Sequence, residues 1–287
     1  MFCLTKQSIV LLFLSFFLAS THAESPVQLQ ISDKTTANGN FYPGDDNKPV
    51  ILILHGFMLT HNFPIVKRLA ESLNESGYSV LTPTLSLDIS KRKKSLACEA
   101  VHTHSLERDV LEVKQWLYWL KKKFTKKIIL IGHSIGSLHL AYLLSQQNNN
   151  NIQQVIFITL PDLNIKKNDK KAISLRETAQ QLLENGDHSL HEFELLYCRK
   201  YPTPAENFLS YTQLSRKNIR QYLSSINVDK SLIIGSADKI INQQWNKSLT
   251  KDHVRLIQIN GADHFFDGEY EFDLLDSVES LLIEASY

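Results

Sequence analysis

Short, almost continuously apolar runs alternate along this chain with amphipathic stretches of helical length, and few architectures accommodate that rhythm. The runs fall at 49–54 (PVILIL), 78–81 (YSVL), 127–131 (KIILI), 155–159 (VIFIT), 231–234 (SLII) and 254–259 (VRLIQI). A strand with one face in water alternates apolar and polar residues, whereas a run without alternation suits a strand covered on both faces. The stretches 63–75, 106–124, 135–147, 243–249 and 270–285 carry apolar residues at three- and four-residue spacing and are expected to be helices. Strand and helix in turn predict an α/β class with a mostly parallel central sheet flanked by helices. The stretch 27–42, ahead of the turn-forming Pro43-Gly44-Asp45-Asp46, is expected to add an antiparallel edge hairpin.

The rhythm fails once. From 162 to about 227 no strand is evident, and helix-like segments at 174–185 and 188–199 are interrupted by Tyr201-Pro202-Thr203-Pro204. An interval of about 65 residues between core strands is too long for a plain connection, so a helical cap over a site is expected there. Composition places everything else in one domain, 24–287: 43% hydrophobic and 21% charged residues leave no room for a long disordered region. With 31 basic and 30 acidic residues the net charge is only +1, so no overall field favours nucleic acid or an anionic membrane. A small molecule is the expected partner.

Residues 1–23 read as a signal peptide: Lys6 is the only charge before Glu24, an apolar run from Ile9 to Leu18 follows, and small residues close at Ala23. The apolar run is short for a membrane span of about 20 residues, so cleavage and a periplasmic or secreted protein without a stable span are expected. Cys98 and Cys198 then remain. In an exported protein such a pair forms one disulfide or stays as two buried thiols, and the sequence leaves both open.

The chemistry centres on Gly132-His133-Ser134-Ile135-Gly136, set between the strand-like KIILI and the helix-like segment that follows. A nucleophile elbow needs a sharp strand-to-helix turn, and glycines two residues to either side of the serine remove clashing side chains. Only ten glycines occur in the chain, and Gly132 and Gly136 bracket one serine. An acid after a later strand and a histidine after the last strand complete the pattern: Asp238 lies in Gly235-Ser236-Ala237-Asp238, and His264 in Gly261-Ala262-Asp263-His264. His264 would take the proton of Ser134, and Asp238 would fix the imidazole tautomer. Asp162, after VIFIT, is a rival acid, and Asp263 is expected to cap its own loop. His55-Gly56-Phe57 follows the first core strand. Gly56 would let the chain turn closely, so that the amides of Phe57 and Ile135 form an oxyanion hole. His55 is expected to be structural.

Taken together, these motifs make the chain resemble the α/β-hydrolase superfamily over nearly all of 24–287. Within it, HGF, GHSIG, the inserted cap, GSAD and GADH resemble the capped esterase, monoacylglycerol-lipase and serine-aminopeptidase group. Ser137 departs from members that carry a second glycine after the elbow. The resemblance implies a serine hydrolase without cofactor or metal, acting on a carboxylic ester or thioester as a small-molecule acyl substrate. Amide or peptide cleavage and acyl transfer use the same triad, and a non-catalytic binding protein on a hydrolase scaffold is the contrasting class.

Three other signals have plain readings. His102 and His104 near Cys98 lack further ligands at convincing spacing and are expected on a surface loop rather than around zinc. The run Lys91-Arg92-Lys93-Lys94 is expected to be a solvated loop. The lysines from 121 to 127 fall at a helix C-terminus, where cations oppose the helix dipole.

Overall fold

The computed structural model describes residues 24–146, 150–161, 170–212 and 214–284. The leader expected at 1–23 and the rival acid Asp162 lie outside them. In chain order the elements are β1 (Ser25–Ser32), β2 (Thr35–Tyr42), β3 (Val50–Leu54), α1 (Pro64–Glu75), β4 (Ser79–Thr84), α2 (Leu106–Lys123), β5 (Ile128–His133), α3 (Ile135–Ser145) and β6 (Ile152–Ile158). There follow α4 (Lys170–Glu184), β7 (Leu190–Leu195), β8 (Cys198–Pro204), α5 (Ala205–Tyr211), α6 (Arg216–Ser225), β9 (Asp229–Gly235), α7 (Gln243–Ser248), β10 (Arg255–Ile259) and α8 (Tyr270–Glu284).

Eight strands form one sheet in the order β1-β2-β4-β3-β5-β6-β9-β10. β1 and β2 pair antiparallel with each other, and β2 antiparallel with β4; every pairing from β4 to β10 is parallel. The missing alternation in the apolar runs has a direct cause. On β3, Val50, Leu52 and Leu54 pack with α2 and α3 residues such as Trp116 and Leu140, while Ile51 and Ile53 pack with Leu69 and Val278 of α1 and α8. On β5, Ile128 and Leu130 join the first layer, and Ile129 and Ile131 the second. Both faces of the strands are therefore core, and each buried aliphatic side chain stabilises the fold by about 1.5–3 kcal/mol.

Local signals set the helix limits. Ser105 caps α2 by accepting from the Arg108 amide, Glu107 and Asp109 occupy its first turn, and Lys121, Lys122 and Lys123 its last. Opposite charges thus meet opposite ends of the helix dipole. Parallel register then brings strand ends side by side: Leu54 aligns with Gly132, His133 with Ile158, and Gly235 with Ile259. The loops carrying His55–Phe57, Ser134, Asp238 and His264 emerge at this one carboxyl edge, where open parallel sheets place their ligands.

The interval expected to be purely helical is not. The stretch 188–199 forms β7, a two-residue turn at Leu196 and Tyr197, and the start of β8, an antiparallel hairpin separate from the main sheet. Alternation decides it: Phe193 and Leu195 are buried while Glu192 is exposed. Phe193 stacks on Phe208 of α5 at 4.3 Å between ring centroids. Pro202 and Pro204 cannot continue a helix, because proline has no amide to donate. The remainder of the interval is helical, in α4, α5 and α6. Cys98 and Cys198 are joined in a disulfide that ties this hairpin to the loop before α2. Among the described residues no helix is long and apolar enough to cross a membrane.

Candidate active site

Ser134 sits between β5 and α3 with φ 54° and ψ −123°, a conformation disfavoured for any residue with a side chain. The neighbouring chain leaves no alternative to glycine on either side. A Cβ on Gly132 would lie 2.7 Å from the Ser137 nitrogen, and one on Gly136 2.5 Å from the His55 carbonyl oxygen. The Ser134 amide donates to the Ile158 carbonyl at 2.8 Å, which pins the turn to β6. Ser137 donates its hydroxyl to the Gly132 carbonyl at 2.5 Å. The departure from a second glycine therefore adds a hydrogen bond within the elbow.

The three predicted side chains meet. His264 Nε2 lies 3.1 Å from Ser134 Oγ, and His264 Nδ1 lies 2.8 Å from Asp238 Oδ2. A carboxylate can only accept from Nδ1–H, so Nε2 is left with its lone pair facing the Ser134 hydroxyl. Asp238 Oδ1 accepts the amides of Ile240 at 2.8 Å and Ile241 at 3.2 Å. Burial opposes its charge, yet the His264 hydrogen bond and the two amides hold Asp238 below the ordinary carboxylate range. Asp263 does not join the chain; it accepts the Phe265 amide at 2.9 Å and shapes the loop that presents His264.

His55 is hydrogen-bonded to main chain through both ring nitrogens. Its Nδ1 donates to the Gly56 carbonyl at 2.7 Å and its Nε2 accepts the Leu85 amide at 3.0 Å. Burial, with Arg92 nearby, drives its pKa down to about 3 and keeps it neutral. Gly56 and Phe57 line the same cavity as Ser134 and His264. Ile135 opens α3, and the first amides of a helix have no acceptor within it. The two residues expected to form an oxyanion hole thus stand on either side of Ser134, Phe57 in the cavity wall and Ile135 at the start of α3.

The cavity measures about 740 Å³, and the inserted segment forms much of its wall through Leu175, Leu195, Leu196, Tyr197, Phe208 and Tyr211. The ion pair of Lys171 and Glu194 supplies polar lining.

Several groups were not visible from the sequence. His133 donates from Nε2 to the His264 carbonyl at 3.0 Å and so holds the loop of the predicted base. Its place inside the elbow motif was the available signal. His102 and His104 are buried rather than on a surface loop, at 0% and 1% exposure. His104 Nδ1 bonds Asp109 at 2.8 Å and its Nε2 meets the Tyr201 hydroxyl at 3.0 Å, while Tyr211 donates to Asp109. Tyr197, Tyr201 and Tyr211 surround the Phe57 ring at 5.8–6.1 Å between centroids. The inserted segment thus packs directly on the Phe57 loop. In the run expected to be a solvated loop Lys91, Lys93 and Lys94 are exposed, whereas Arg92 is buried. No pattern in LDISKRKKSL marks it from its neighbours.

A family model described as "Protein of unknown function (DUF1749)" matches residues 50–276. The chain belongs to that family. No curated protein matches this DUF1749 member. Solved structures do. Est1E from Butyrivibrio proteoclasticus, known also with ferulic acid bound, shares 16% identity at a TM-score of 0.66, covering 91% of this chain and 98% of its own. The alpha/beta hydrolase GrgF from Penicillium sp. sh18 reaches 0.70 at 12% identity, covering 92% and 100%. The Pyrococcus furiosus esterase Pf2001 reaches 0.61 at 17%, covering 93% and 92%. This DUF1749 member therefore has the α/β-hydrolase fold, as the resemblance of its motifs implies.

Proposed function

We propose that this protein is a serine hydrolase that cleaves a carboxylic ester, or secondarily a thioester, through an acyl-enzyme on Ser134. The observation that carries the reading is the hydrogen-bonded sequence Ser134, His264, Asp238 at a strained elbow beside the cavity. A neutral hydroxyl is a poor nucleophile until a nearby base can take its proton. In this scheme Ser134 Oγ attacks the substrate carbonyl as His264 Nε2 accepts the proton. The amides of Phe57 and Ile135 hold the negative oxygen, and such donors are commonly worth about a hundred- to a thousandfold in rate each. Collapse expels the alcohol or thiol, protonated by His264. Water then attacks the acyl group as His264 takes its proton, and collapse breaks the bond to Ser134 Oγ, which recovers that proton from His264 as the acid leaves.

Wall residues such as Leu195, Leu196, Phe208 and Tyr211 favour an apolar or aromatic acyl group. The ester chemistry of the Pyrococcus furiosus neighbour and the aromatic acid held by Est1E are in keeping with this reading. We further infer export to the periplasm or medium: the Cys98–Cys198 disulfide suits an oxidising compartment and accords with a leader at 1–23.

The test is labelling of the purified protein with a fluorophosphonate and peptide mapping, with Ser134→Ala and His264→Ala as controls. Modification confined to Ser134 and abolished by both substitutions is the expected result. A folded protein that takes no label would overturn the mechanism.

A further inference from the structure

We propose that Arg92 is a positioning residue for the oxyanion loop, fixing the direction in which the Phe57 amide points. The inference rests on the serine-hydrolase reading above. Arg92 is 4% exposed, and its guanidinium reaches four main-chain carbonyls. Nε donates to Leu85 at 2.8 Å, Nη1 to Met58 at 3.2 Å and Lys94 at 2.9 Å, and Nη2 to Leu59 at 2.7 Å. Two of these acceptors, Met58 and Leu59, belong to the turn that follows Phe57. The Glu112 and Asp109 carboxylates act on this buried cation only through space, and its hydrogen bonds go to carbonyls, so what its donors organise is backbone.

What it organises follows from the turn itself. The Leu59 amide donates to the Gly56 carbonyl at 3.2 Å, and Met58 has φ 56°, a left-handed conformation that a methionine does not adopt without support. His55 Nδ1 donates to the same Gly56 carbonyl at 2.7 Å. In a trans peptide the amide hydrogen points away from the preceding carbonyl. Holding Gly56 O therefore aims the Phe57 N–H in the opposite direction, and Arg92 holds the two residues that close the turn.

The support reaches further back. Leu85 donates its amide to His55 Nε2 at 3.0 Å and gives its carbonyl to Arg92. One peptide segment after β4 thereby joins both braces of the loop. Ser86, the next residue, is held by Glu112 of α2 through its amide at 2.8 Å and its hydroxyl at 2.5 Å. Met58 O also accepts the Leu96 amide at 3.1 Å, two residues before the disulfide at Cys98. Arg92 is thus the cation at the centre of a backbone cage, on a loop whose neighbouring lysines 91, 93 and 94 are exposed.

The experiment compares wild type with Arg92→Met and Arg92→Lys, using an activated ester and its thiono analogue, in which sulfur replaces the carbonyl oxygen. An oxyanion hole is shaped for oxygen, so the oxygen-to-sulfur rate ratio reports its geometry. General instability does not move that ratio, because it only lowers the amount of active enzyme. For Arg92→Met, kcat for the oxygen ester is expected to fall by about ten- to a hundredfold with KM within about threefold, and the ratio to fall by about tenfold. Arg92→Lys, which keeps the charge but not the four-carbonyl reach, is expected to recover part of both, and it decides the matter if the methionine variant does not fold. Rates that drop only in proportion to folded protein, with an unchanged ratio, would overturn the role of Arg92 while leaving Ser134 labelling intact. A wild type that never takes a fluorophosphonate on Ser134 would overturn both.

Discussion

Asp238 acts through two oxygens in different ways. Oδ1 accepts the Ile240 and Ile241 amides and shapes its own loop, whereas Oδ2 meets His264 Nδ1. Asp238→Asn keeps the loop contacts and removes only the enforced tautomer. If the proposed mechanism holds, ester turnover near neutral pH is expected to fall by about 10⁴-fold with the melting temperature little changed. Retention of wild-type turnover would remove Asp238 from the mechanism. At this scale legibility followed chemistry tied to short motifs. Ser134, Gly132, Gly136 and His264 stood out because a strained turn and a loop after the last strand restrict residue choice locally. Arg92 did not, because its acceptors Met58 and Leu59 lie more than thirty positions away along the chain. His104 and Asp109 were obscured for the same reason, since Tyr201 and Tyr211 come from the inserted segment.

Among the elements, the hairpin of β7 and β8 marks where periodicity misled. The stretch 188–199 has apolar residues that fit a helix as well as a strand, and length alone does not separate the two. What separates them is tertiary: Phe193 stacks on Phe208, and Cys198 bonds Cys98 in a loop a hundred residues earlier. The central strands β3 and β5, by contrast, were legible because burial on both faces gives Val50–Leu54 and Ile128–Ile131 an unbroken apolar run. The disulfide offers a measurement at this scale. Closing a loop of 100 residues restricts the unfolded chain, and loss of such a link typically costs about 2–5 kcal/mol. The Cys98→Ala/Cys198→Ala variant is therefore expected to unfold at lower urea than wild type by that free energy, and a reductant should shift only the wild type. A loss below about 1 kcal/mol would mean that the hairpin is held by its aromatic packing instead.

The molecule as a whole buries histidines in numbers that give it a definite response to acid. His55 and His133 are driven down to about 3, and His102 and His139 to about 4, in each case first by burial. His61 shifts in the same direction for the same cause. An unfolded histidine protonates near its ordinary value of about 6.5. Below that pH the unfolded chain takes up protons that the folded protein refuses, so stability is fully present above about 6.5 and is lost as pH falls toward the folded values. Glu112 works against this. Burial raises it to about 7 despite two hydrogen bonds from Ser86, so the folded state keeps a proton that the unfolded glutamate releases near 4.5. Four histidines against one glutamate leave an uptake of about three protons on unfolding between pH 4.5 and 6.5, before His61 is added. Asp109 and Asp238, both held below their ordinary values, extend the loss to lower pH. Urea unfolding followed from pH 4.5 to 7.5 is expected to show stability rising steeply to about 6.5 and then levelling. A flat or falling profile over the lower interval would mean that these imidazoles are protonated inside the fold, which the neutral His55 accepting the Leu85 amide would not survive.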